Sequence, residues 1–179
     1  GLYALQHRGQ ESSGIAASDG NQLTVYKGKG YINDVFNQED IIDQYLKGKI
    51  SIGHNRYSTT GGGDKENIQP LVVNFKMGQM AVAHNGNLTN TYTLRKELED
   101  RGSIFRTSMD SEVIHHLIAK SNEKDLKNMI IDALKKINGA YSLLFMTKDS
   151  LIAVRDPYGI RPLCLGKLGN TTIISSESC

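Results

Sequence analysis

Two segments late in the chain, residues 141–146 and 151–154, are apolar at almost every successive position instead of at every second one. A strand sends alternate side chains to opposite faces, so such segments are stable only in a sheet covered on both sides. That requirement excludes a single open antiparallel layer. Elsewhere the chain signals antiparallel pairing: Asp19-Gly20-Asn21 separates the apolar stretch 14–17 from residues 22–27, and an Asp-Gly step suits the positive φ angles of a tight hairpin. An antiparallel start argues against a dinucleotide-binding fold.

Further strands are predicted at 50–56, 71–75 and 80–84, with Gly78 in the short connection between the last two. Leu2 and Leu5 predict a short opening helix that ends near Arg8-Gly9. Three longer stripes at helical spacing follow the middle strands: Leu94 and Leu98; Val113, Ile114, Leu117 and Ile118; Leu126, Ile130, Ala133, Leu134 and Ile137. The economical arrangement is α+β, with two packed antiparallel sheets flanked by helices.

The 179 residues fit one domain, and 39% hydrophobic with 22% charged residues matches an ordered globular chain. The 21 basic and 19 acidic residues are scattered without a Lys/Arg block, which argues against nucleic acid as a partner. No apolar run reaches the roughly 18–20 residues of a membrane span, and residues 1–10 lack a signal peptide's apolar stretch, so no membrane partner and a cytoplasmic location are expected. Cys164 and Cys179 lack CxxC spacing and are expected to be reduced and structural, with one disulfide as the alternative. Gly1 in place of an initiator Met, and a strand-like run at 171–174 just before Cys179, suggest a domain spanning 1–179 that is incomplete at both ends.

Four polar, glycine-containing clusters interrupt the apolar pattern, at 6–12, 54–61, 84–87 and 107–112. Arg56 closes a strand, where its planar fork suits a substrate carboxylate or an ordinary salt bridge. Asn85-Gly86 offers an amide NH2 and a backbone N–H to a developing oxyanion, or is a plain Asn-Gly turn. Asp110 precedes a helical stripe, so it or Ser108 either caps that helix or, in Asp110's case, receives a substrate ammonium. Gly61-Gly62-Gly63 lacks the Gly-Lys-Ser/Thr of a phosphate loop and suits a mobile loop. His115 and His116 are adjacent on a helix, which argues against a shared metal.

Together these clusters resemble the class II, N-terminal-nucleophile glutamine amidotransferases, most closely the branch that aminates phosphoribosyl pyrophosphate. Residues 1–15, beginning Gly-Leu-Tyr-Ala-Leu-Gln-His-Arg-Gly-Gln-Glu, look like the first motif, 53–63 like the glutamine loop, and Asp156-Pro157-Tyr158-Gly159-Ile160-Arg161-Pro162-Leu163 like the late signature. The resemblance implies a four-layer αββα sandwich, the N-terminal-nucleophile hydrolase fold. It implies that Arg56 holds the glutamine α-carboxylate, Thr59 lines the same pocket, Asp110 binds the α-ammonium, and Asn85 with Gly86 forms the oxyanion hole.

In that family the nucleophile is an N-terminal cysteine whose own α-amine shuttles the proton. Gly1 already lies inside the first motif, so the nucleophile is expected upstream, and residues 1–179 alone are expected not to hydrolyse glutamine. Cys164 and Cys179 are internal, and the strand-like surroundings of Cys164 suggest a buried, inert thiol. The resemblance further implies a downstream phosphoribosyltransferase half with Mg2+, no cofactor in residues 1–179 themselves, an iron–sulfur cluster in some relatives, and a homo-oligomeric intact enzyme. The alternatives are the glutaminase domain of a sugar-phosphate aminating synthase or asparagine synthetase, or a non-catalytic glutamine-binding module.

Overall fold

The computed structural model describes residues 1–38, 40–57 and 65–179. Among them, nine strands form three antiparallel sheets. The first holds β1 (Ser12–Ser18) between β2 (Leu23–Lys29) and β3 (Ile50–Arg56). The second runs β4 (Leu71–Phe75), β5 (Gly78–Leu88), β6 (Gly139–Met146), β7 (Leu151–Arg155), and the third is a hairpin of β8 (Cys164–Leu168) and β9 (Thr171–Ser175). Among the described residues there are also helices α1 (Ile32–Val35), α2 (Thr91–Asp100), α3 (Asp110–Ala119) and α4 (Leu126–Leu134), a short π-helical turn at Ile41–Tyr45 and 3-10 turns at Gln6–Arg8 and Lys65–Asn67.

Three apolar clusters separate four layers. Along β6, Tyr141, Leu143 and Phe145 meet Val113, Ile114, Leu117, Ile118, Met129 and Ile130 of α3 and α4, while Leu144 and Met146 turn the other way. There they join Ala81 and Ala83 of β5, Ala16 of β1 and Ile52 of β3 to form the seam between the two large sheets. Alanines at the seam let the sheets approach closely while the larger residues fill the remaining space. The far face of β1 sends Ile15 and Ala17 against Phe36, Ile41 and Leu46. The order is therefore long helices, four-stranded sheet, three-stranded sheet, short helical turns, the expected αββα sandwich. Unbroken apolarity at 141–146 and 151–154 is explained directly, because successive side chains enter different cores.

The Asp19 hairpin forms as expected: Asp19 Oδ1 accepts the N–H groups of Asn21 and Gln22 at 2.8 and 3.0 Å, and Gly20 takes φ 96°. Several expectations need correction. The opening helix contracts to the Gln6–Arg8 turn. The third stripe ends as helix at Leu134, short of Ile137. The strand expected at 80–84 runs on to Leu88, so Asn85-Gly86 is not a turn. Cys164 is half-buried in β8, not sealed in the core, and both cysteines are free thiols.

Candidate functional site

A cleft of about 590 Å3 opens at one end of the seam between the two large sheets. Its wall includes Arg56 at the end of β3, Asn85 and Gly86 within β5, Asp110 at the start of α3, and Arg161 from the loop after β7. Four residues singled out from sequence thus come together from three elements far apart in the chain. Thr59, the fifth, and the Gly61–Gly63 loop lie outside the described residues.

The extension of β5 decides how Asn85 and Gly86 are presented. β4 leaves β5 at the Leu71–Val82 pair, whereas β6 stays paired with it down to Leu88. Residues 83–88 therefore have one edge not paired to a strand. Gln69 covers its first part, its Oε1 accepting the His84 N–H at 2.6 Å and its Nε2 donating to the His84 carbonyl at 3.2 Å. Backbone groups alternate sides along a strand, so the Gly86 N–H points to the same edge as those of His84 and Leu88. The Asn85 side chain adds a second donor. Its Nδ2 is buried and has no hydrogen-bond partner among the described residues. The Asn-Gly pair, which local sequence preference alone favours as a turn, is an extended donor platform.

Glycine is required at position 86 by space. A Cβ there would run into the Ala140 carbonyl oxygen and Tyr141 Cα of the neighbouring strand. Both are backbone atoms that cannot rotate away. We expect Gly86→Ala to push β5 from β6, lowering stability by about 1–3 kcal/mol and shifting the Gly86 N–H out of the cleft. Thermal unfolding of the variant checks the first effect, and amide hydrogen exchange at position 86 the second.

Arg56 is almost fully buried, and its Nη1 stands 3.6 Å from Glu11 Oε1. The Glu11 N–H also donates to the Arg56 carbonyl at 3.1 Å, tying the segment before β1 to the end of β3. Gly9 makes this approach possible, since a Cβ would lie 2.6 Å from the Arg56 carbonyl carbon. A guanidinium with five donors can serve a second carboxylate besides Glu11. Glu11 belongs to a polar cluster visible in the sequence, but nothing local marks it as the partner of a residue 45 positions away.

Asp110 does not cap α3, and neither does Ser108. The N-cap is Met109, without a side-chain cap bond, and the Ser108 hydroxyl accepts from Asn67 Nδ2 at 3.0 Å. The Asp110 carboxylate instead faces β5, where Oδ2 accepts the Leu88 N–H at 3.0 Å and Oδ1 lies 3.3 Å from His84 Nδ1. Burial alone would raise its pKa, but the His84 imidazole and the Leu88 and Ser111 N–H groups outweigh it and leave the pKa below the ordinary carboxylate value. The carboxylate is therefore negative at neutral pH, in the same cleft as the positive Arg56.

Two histidines, half-buried His54 and buried His84, flank this site. Burial pushes His54 down to about 4, outweighing its bond to the His84 carbonyl, with the neighbouring His84 and Arg56 adding to the depression. His54 is thus neutral at pH 7, and its Nε2, 3.0 Å from the His84 carbonyl, carries the hydrogen. This bond crosses from β3 to β5 and sets the two sheets' spacing at the cleft floor. On the outer wall, Arg8 and His7 hold Glu177 at 2.5 and 3.1 Å. Behind the cleft, Asp156 accepts the N–H groups of Tyr158, Ile160 and Arg161 at 3.0–3.1 Å, which shapes the loop carrying Arg161. Neither cysteine lines the cleft. No helix among the described residues is long and apolar enough to cross a membrane.

Comparison with known proteins matches residues 54–179 to the glutamine amidotransferase domain. The chain is 54% identical over its whole length to an amidophosphoribosyltransferase of Methanocaldococcus jannaschii, of which it spans 38%, and 48% identical to that of Bacillus subtilis, of which it spans 37%. A solved structure described as the allosteric regulatory enzyme of purine biosynthesis superposes with a TM-score of 0.94 at 47% identity, covering 99% of this chain and 38% of that one. The chain thus spans about two fifths of the length of these relatives and shares its αββα architecture with that structure. A domain match over more than half of its residues, on a cleft that gathers Arg56, Asn85, Gly86 and Asp110, shows that the chain belongs to the glutamine amidotransferase family.

Proposed function

We propose that the cleft binds L-glutamine and that the complete protein hydrolyses its side-chain amide, passing the ammonia to phosphoribosyl pyrophosphate to make 5-phosphoribosylamine, the first step of de novo purine synthesis. The observation that carries this reading is the pair of opposite charges, Arg56 and Asp110, in one cleft with two donors, the Asn85 Nδ2 and the Gly86 N–H on the edge of β5 that β4 does not pair. An α-amino acid carries one carboxylate and one ammonium, and this cleft offers a counter-charge to each.

In this reading Arg56 takes the α-carboxylate and Asp110 the α-ammonium; Thr59, expected in the same pocket, lies outside the described residues. The side-chain carbonyl then reaches the β5 edge. When a thiolate adds to that carbonyl, its oxygen gains a full negative charge, and Asn85 and Gly86 meet it with donors fixed before the reaction begins. Losing one such donor typically costs about 10²–10³ in kcat. Neither Cys164 nor Cys179 can deliver the thiolate, because neither reaches the cleft wall. The nucleophile is a cysteine outside residues 1–179, which bind and polarise glutamine without cleaving it.

Phosphoribosyl pyrophosphate and its Mg2+ belong to a further part of the complete protein. Among the described residues, no three His, Cys, Asp or Glu side chains are grouped to hold a metal ion. We place the complete protein as a cytoplasmic homo-oligomer.

The test is product analysis with the complete protein. Phosphoribosylamine should form from phosphoribosyl pyrophosphate with glutamine or with ammonia as the nitrogen source. Formation of glucosamine 6-phosphate or asparagine instead would overturn the assignment.

A further inference from the structure

A carboxylate has about four acceptor positions. For Asp110 distant parts of the chain meet two: the Leu88 N–H on Oδ2 at 3.0 Å and His84 Nδ1 beside Oδ1 at 3.3 Å. An acceptor position remains to face the cleft. Which direction it faces depends on how the carboxylate is rotated about its bond to Cβ, and His84 is the only side chain of these two partners.

His84 is held more firmly than a surface imidazole. Its side chain is 1% exposed, its N–H and carbonyl are both clipped by Gln69, and the carbonyl also receives His54 Nε2 from the opposite sheet. A carboxylate only accepts, so the ring hydrogen lies on Nδ1. The other nitrogen, Nε2, is buried with no hydrogen-bond partner among the described residues. A buried nitrogen without a partner is destabilising, and an apolar side chain of similar volume would avoid that cost. Packing therefore does not explain an imidazole here, whereas its Nδ1–H does.

We infer that His84 is a positioning residue for glutamine: its Nδ1–H fixes the Asp110 carboxylate so that the remaining acceptor position meets the α-ammonium. The inference rests on the reading of Asp110 as the ammonium site. His84 touches no substrate atom and acts only through Asp110.

The experiment compares glutamine with its α-deamino analogue, 4-carbamoylbutanoate, as ligands of the complete protein. His84→Leu should weaken glutamine roughly ten-fold, the effect of one misplaced charge-assisted hydrogen bond, and leave the deamino analogue unchanged. His84→Asn, whose amide nitrogen occupies the place of Nδ1, should restore glutamine affinity. His84→Gln, whose amide reaches the place of Nε2, should behave like the leucine variant and provides the same comparison if leucine prevents folding. Equal weakening of both ligands, or no rescue by asparagine, overturns the inference. Asp110→Asn separates the two levels. If it weakens both ligands equally, the ammonium reading itself fails; if it selectively weakens glutamine while the His84 variants do not, only the role of His84 fails.

Discussion

Acidification from pH 7 to pH 4 is expected to remove several kcal/mol of folding stability, before most carboxylates are protonated. Two imidazoles contribute most, with His116 depressed in the same direction. His54 is half-buried and His115 buried, and desolvation is the first cause that pushes each down to about 4 from an ordinary 6.5. Around His115, Glu112 opposes the depression and His116 adds to it. A histidine with a depressed folded pKa binds its proton more readily in the unfolded chain. Unfolding therefore takes up protons below pH 6.5, and stability falls with pH across the window from 6.5 to 4. A depression of this size corresponds to roughly 3 kcal/mol for each group at the bottom of the window. Set against the roughly 5–15 kcal/mol of a typical domain, the pair decides whether the fold survives at pH 4.

Denaturant titrations at pH 7, 5.5 and 4.5 measure this directly, and His115→Leu isolates one of the two contributions. Both ring nitrogens of His115 are buried without a hydrogen-bond partner among the described residues. Leucine of similar volume should leave stability at pH 7 equal or higher while about halving the loss between pH 6.5 and 4. A pH dependence unchanged by His115→Leu would remove the helix-layer histidine from this account. His54, with the lesser depression of His116, would then have to supply the effect.

What could be read from the sequence follows the range of the interactions involved. The double-sided apolarity of 141–146 is local, and it places Leu143 and Leu144 correctly in two different cores. The turns at Ile32–Val35 and Ile41–Tyr45 are too short for helical periodicity to register and stayed unseen. Asn85-Gly86 shows the opposite failure. Its local preference for a turn is overridden by eight residues of pairing with β6 and by the Gln69 clip, both distant in sequence. Arg56 and Asp110 could be singled out by residue type and position at element ends. Their partners Glu11 and His84 could not, because an ion pair between distant positions leaves no spacing signal.

The Arg56–Glu11 pair also makes the bland and functional readings of Arg56 separable. Arg56→Ala is expected to weaken glutamine binding at least a hundred-fold, since a desolvated bidentate carboxylate contact is lost. The same change leaves Glu11 partly buried beside no counter-charge, and it should also destabilise the fold by roughly 1–3 kcal/mol. A loss of binding by itself is therefore ambiguous. Adding Glu11→Gln removes the stranded charge and should recover part of the stability without recovering glutamine binding. Arg56→Lys should restore the fold better than it restores binding, because a single ammonium cannot reproduce a planar fork. Calorimetric titration of glutamine and thermal unfolding, run on all three variants of the complete protein, measure the two effects side by side. Ammonia-dependent synthesis provides the internal control, since ammonia bypasses the glutamine cleft and should survive in every variant that folds. If glutamine binding returns together with stability in the double variant, Arg56 is a structural ion pair and the carboxylate clamp lies elsewhere in the cleft, with Arg161 on the same wall the next guanidinium to test.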